Sequence, residues 1–221
     1  MKTKFLHIAT ALLFVGFTSS CSDFLDRYPL DELSDSSFWK TENDAMMAVT
    51  DIYGCLPTWD QDEDINSDNA VHGIKWAAGN ISKGVYDPMD QSWAGSYTPI
   101  RQCNLVLEKV KDIEMSDESR KKIEGQAYFF RAFVYFNLIR SFGDVPYIDK
   151  PLNLTDVEDI TRTPREEVYA KVMADFDKAI EYLPEEWDAA NTPRVTKGAA
   201  LAMKARAALY YNNWQVAADA S

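Results

Sequence analysis

The chain has 221 residues, 46% of them hydrophobic, enough for one domain with a sizeable core, and its three cysteines do not make a small disulfide-stapled module. A formal net charge of −12, with no stripe of Lys and Arg, excludes nucleic acid as a partner and suits the solvated surface of an exported protein. With His7 and His72 as the two histidines, neither a zinc ligand set nor a Ser-His-Asp arrangement can be assembled, although hydrolysis by an acid pair stays formally open.

Lys2 and Lys4 precede an apolar run from Phe5 to Phe17, far shorter than the roughly 20 residues of a membrane-spanning helix. The small residues Thr18-Ser19-Ser20 then lead into Cys21. This pattern predicts a signal peptide over 1–20 and a lipid-modified Cys21 as the first mature residue. Several acyl chains there would hold the body at a membrane, because each buried CH2 contributes about 0.8 kcal/mol. The alternative is an ordinary secreted protein in which Cys21 is incidental. Residues 21–41 read as an extended, acidic tether with Phe24, Leu25, Tyr28 and Leu30 as docking side chains.

Thr41-Glu42-Asn43-Asp44 is a helix-opening capping pattern, and Ala45, Ala48, Val49, Ile52 and Tyr53 share one face until Gly54 and Pro57 stop the helix. From Leu56 to Tyr97 the periodicity disappears, which predicts a long irregular segment carrying Trp59, Trp76, Tyr86 and Trp93. Pro99 suits the first turn of a second helix ending near Ile113. A third runs from about Asp117 to Arg140, with acids in its first turn and an apolar stretch that must be buried on most sides. Thr163-Pro164-Arg165-Glu166 combines a cap, a first-turn proline and a reciprocal carboxylate, opening a fourth helix that Pro184 terminates. An alanine-rich fifth helix is expected from about Thr196 to Tyr211, and Trp214 starts a sixth in which the chain stops.

Phe176 to Pro184, with Lys178-Ala179-Ile180-Glu181 inside it, resembles the second helix of a tetratricopeptide repeat, and Ala199, Ala202, Arg206, Ala207 and Leu209 resemble the first helix of the next. The fold class is therefore all-α, tetratricopeptide-like helical repeats with long irregular loops, truncated at the C-terminus. Wider motifs carry a family resemblance. Cys21 with Asp26, Phe38-Trp39, Ser67-Asp68-Asn69-Ala70 and the Tyr97 to Asn104 stretch resemble the SusD/RagB family. Glu124 to Leu138, followed by Phe142-Gly143-Asp144-Val145-Pro146, is similar to that family's most recognisable segment.

This resemblance implies a surface-exposed lipoprotein of the cell outer membrane, palmitate-type acylated on Cys21, which binds glycans or other nutrients. It implies delivery to a SusC-type TonB-dependent transporter, with an oligosaccharide as ligand and no enzymatic step or cofactor. Family members are more than twice as long, so residues 42–221 read as the N-terminal part of such a helical-repeat domain. A lipid-anchored glycoside hydrolase and a protein-binding scaffold are the two other classes left open.

Sugars are held by aromatic rings against their apolar faces and by acids and amides on their hydroxyls. Trp76, Tyr86 and Trp93 are the candidate ligand residues, against the alternative that they pin the loop onto the helices. Arg131, in an apolar helix, needs a counter-charge, and Glu124 or Asp144 is the expected partner. Asp60, Asp62, Asp64, Asn66 and Asp68 alternate like calcium ligands, but Ile65 and Val71 break the pattern, so no metal is expected. Cys55 and Cys103 are expected to be small buried hydrophobes; their spacing gives no support for a disulfide.

Overall fold

A computed structural model describes residues 38–57, 84, 93–156 and 159–221. The signal peptide, Cys21, most of the tether, Trp76, Tyr86 and the acidic loop at 60–68 lie outside the described residues. The unit Trp39–Ser221 is built from helices α1 (Glu42–Ile52), α2 (Trp93–Lys109), α3 (Asp117–Phe142), α4 (Arg165–Tyr182), α5 (Lys197–Tyr210) and α6 (Trp214–Asp219). Short 3-10 turns follow α1 and α2. Among the described residues the only β-pairing is an isolated bridge between Val145 and Thr163, so the architecture is all-α.

α3 is the central element. Ile123, Phe130, Val134, Tyr135, Phe136 and Leu138 are buried around nearly its whole circumference, as its nearly continuous apolar run requires. α1, α2 and α4 all pack against it, α1 also against α2, while α5 lies on α4 and α6 on α5. The C-terminal end of α4 comes unusually close. A Cβ on Gly125 of α3 would meet the Tyr182 Cβ at 3.0 Å and the Leu183 Cγ at 3.1 Å, so glycine is what lets the two backbones approach. α3 ends at Gly143, whose positive φ of 69° with ψ of −118° leaves the helical path in a conformation that favours glycine, with its N–H donating to the Ile139 carbonyl at 3.1 Å.

Several helix starts follow the sequence. Thr41 and Asp44 form a reciprocal capping box on α1, Ser116 caps α3 and Thr196 caps α5. Two starts differ. α2 extends back to Trp93, so Pro99 stands inside the helix rather than in its first turn. Proline has no N–H to offer the Gly95 carbonyl one turn earlier, and the exposed position of Gly95 leaves that carbonyl to solvent. At α4 the cap is not Thr163: both its backbone groups are committed to Val145, with N···O distances of 3.2 and 2.9 Å. The Asp144 carboxylate accepts the Arg165 N–H instead, at 3.0 Å, from 21 residues away. No described helix is long and apolar enough to cross a membrane.

Candidate functional site

A buried polar junction ties α2 and α3, two of the helices that line the site, to α4. Arg131 of α3 is 7% exposed and grips Asp175 of α4 bidentately, Nε to Oδ2 and Nη2 to Oδ1, both at 2.7 Å. Its Nη1 donates to Asn104 Oδ1 of α2 at 2.8 Å, and the Asn104 amide donates to the Ile148 carbonyl at 2.9 Å. Burial works against the guanidinium charge, but the hydrogen bonds and charge of Asp175 outweigh it and push its pKa above the ordinary arginine value. The expected partners Glu124 and Asp144 are thus corrected: Asp175 provides the counter-charge, and Asp144 is engaged as the α4 cap. Tyr135 reinforces the junction, donating to the Ile148 carbonyl at 3.1 Å and accepting the Ile148 N–H at 2.6 Å.

Trp93 opens α2 in a half-buried position. The Phe142 ring meets it edge-on at 4.8 Å, Tyr97 lies at 5.9 Å and the Arg162 guanidinium stands 5.6 Å from its centroid. These contacts tie the start of α2 to the end of α3. Cys55 and Cys103 are free thiols; burial pushes Cys55 up to about 11 and Cys103 further, so both stay protonated at neutral pH.

Where α1, α2 and α3 meet, they leave an open cleft of about 470 Å3. Asp51 comes from the end of α1, Gly54 from the 3-10 turn that follows it, Gln102 from α2, and Phe133 and Asn137 from α3. Thr98 adds an exposed hydroxyl. Gln102 donates its amide to the Asp51 carboxylate, bridging two walls. Phe133 and Asn137, one turn apart, present an aromatic ring and an amide on the same side of α3. The Phe133 ring is stacked on Phe129 with an interplanar angle of 13°. Asn137 is half-buried, yet its amide has no hydrogen-bond partner among the described residues. None of these residues was expected from the sequence to be a ligand residue: Gly54 reads as a helix stop, and Phe133 and Asn137 vanish into the apolar stretch of α3. Among the described residues no cluster of His, Cys, Asp and Glu could hold a metal ion.

An all-helical body carrying a cleft with an aromatic wall and amide and carboxylate groups defines a helical binding module. Comparison with known proteins narrows the class. The SusD-like family model described as "starch-binding associating with outer membrane" matches residues 23–209. SusD-like protein P2 of Formosa agariphila is 30% identical over 233 residues, covering 99% of this chain and 45% of that protein. A solved SusD-like protein of Bacteroides fragilis superposes with a TM-score of 0.76 at 27% identity, over 88% of this chain and 40% of its own. A SusD-like carbohydrate-binding protein of the same species does so with a TM-score of 0.70 at 25% identity, over 83% and 40%. The chain belongs to the SusD-like family, and it spans less than half the length of these relatives.

Proposed function

We propose that this protein is a surface-exposed lipoprotein of the outer membrane, anchored through Cys21, that captures glycans and passes them to a SusC-type TonB-dependent transporter. The mechanism is binding and release, with no chemical step. The body that presents the ligand is a stack of tetratricopeptide-like helix pairs, in which each pair buries its apolar face on the next. Trp76, Tyr86 and Trp93 stay the aromatic candidates for stacking on the ligand.

The observation that carries this reading is the family match over residues 23–209, which includes both the segment after Cys21 and the helical body. Incubation with mixed glycans tests it. A binding protein retains oligosaccharide without releasing shorter products, a hydrolase releases them, and a protein-binding scaffold does neither. Failure to associate with any TonB-dependent barrel when both are present in the membrane would remove the transporter from the proposal.

A further inference from the structure

We infer that the cleft between α1, α2 and α3 is a subsite for one uncharged sugar residue of the glycan, held by Phe133, Asn137, Asp51 and Gln102. This rests on the glycan-binding reading above and adds to it a place and a charge class.

The size suits a sugar. At about 470 Å3 the cleft lies in the lower part of the range for small-molecule sites, roughly 300–1,000 Å3, with room for a pyranose ring rather than for a long stretch of polymer. Its chemistry is the mixture a sugar ring needs. Phe133 offers an aromatic face for the apolar C–H surface of a pyranose, held in place by its stacking on Phe129. Asn137 can donate and accept at once, which matches a pair of neighbouring hydroxyls. The amide makes no hydrogen bond to the described residues and is open to the cleft, so a ligand hydroxyl need displace only water from it. Asp51 is steadied by the Gln102 amide and retains lone pairs for further hydroxyl donors.

Charge selects the class. Among the described residues that line the cleft, Asp51 is the single carboxylic acid, and no Lys, Arg or His joins it. A uronate or sulfate group placed here would lie beside a carboxylate, with no counter-ion among the described lining residues, and would lose part of its hydration, which is unfavourable on both counts. A neutral sugar meets neither penalty.

The test uses the full chain, with laminari-, malto-, cello-, xylo- and manno-hexaose as neutral probes and hexagalacturonate as the charged one, read by calorimetry. At least one neutral hexamer is expected to bind, and Asn137→Ala and Phe133→Leu each to weaken it about tenfold with unchanged circular dichroism and melting. Thr98→Ala, on the rim, serves as a second variant that leaves the core intact, with a smaller loss. Hexagalacturonate is expected to bind at least tenfold more weakly, and Asp51→Asn to narrow that gap. Neutral binding that none of the variants alters overturns the cleft assignment while leaving the glycan-binding reading standing. Equal or tighter binding of hexagalacturonate overturns the charge assignment. Binding of no hexamer overturns the glycan-binding reading, and the subsite with it.

Discussion

Arg131 shows how one charged side chain survives in a helix that is otherwise committed to the core. Its three nitrogens all donate: two to Asp175 and one to Asn104. The residue therefore couples α2, α3 and α4 at a single point, and its loss acts on folding before it acts on any ligand. Arg131→Met leaves the Asp175 carboxylate buried without a partner and is expected to cost about 3–5 kcal/mol. Adding Asp175→Leu removes the orphaned charge and should restore much of that loss. Urea denaturation of the single and double variants measures both steps. Stability retained in Arg131→Met together with lost glycan binding would show that the guanidinium serves the ligand instead. The need for a counter-charge was legible from the sequence, since an arginine amid Phe129, Phe130, Phe133 and Tyr135 must be neutralised. The partner was not, because Asp175 lies 44 residues away and becomes adjacent only when α4 packs on α3.

Helix starts test which local signals govern an element. Where the cap and the N–H it accepts from lie within one turn, as at Thr41, Ser116 and Thr196, the local sequence alone supplies the cap. At α4 the local pattern is overridden, because Thr163 is held by the bridge to Val145 and Asp144 reaches the Arg165 N–H from the turn after α3. Asp144→Ala is therefore expected to destabilise the protein by about 1 kcal/mol, the usual worth of a cap, while Thr163→Ala, which keeps both backbone bonds, stays near wild type. Thermal melts of the two variants decide between them, and the reverse order would restore Thr163 as the cap. The α3–α4 contact gives a second test. Gly125→Ala gains helix propensity of about 1 kcal/mol but drives a methyl group into the Tyr182 Cβ, an atom too close to the backbone to swing aside. Overpacking costs of about 1–3 kcal/mol exceed that gain, so the melt should fall. The helices themselves were legible from periodicity, but the cleft was not. Its residues come from three helices, and only the crossing of those helices places Asp51 and Gln102 across from Phe133 and Asn137.

At the scale of the whole molecule, the proposed arrangement would have a modest cleft and a lipid tether solve one problem together. A single sugar subsite of this size supplies limited affinity, since a few hydrogen bonds and one stacked ring must also offset the ordering of the ligand. Anchoring changes what affinity is required. In the proposed arrangement the binding body stays beside its transporter, so hand-over depends on a local effective concentration set by the length of the tether rather than on bulk diffusion. Very tight capture would even be a disadvantage, because hand-over requires the ligand to leave the site and tight binding slows that step. Cys21→Ala separates the two contributions. The variant is expected to keep the wild-type affinity for a neutral hexasaccharide in solution, because the cleft residues lie in α1, α2 and α3. It should leave the membrane fraction and lose most glycan uptake by whole cells. Uptake that persists at wild-type rate after the anchor is gone would mean that the body docks to its transporter with enough affinity of its own, and that proximity through the lipid is dispensable.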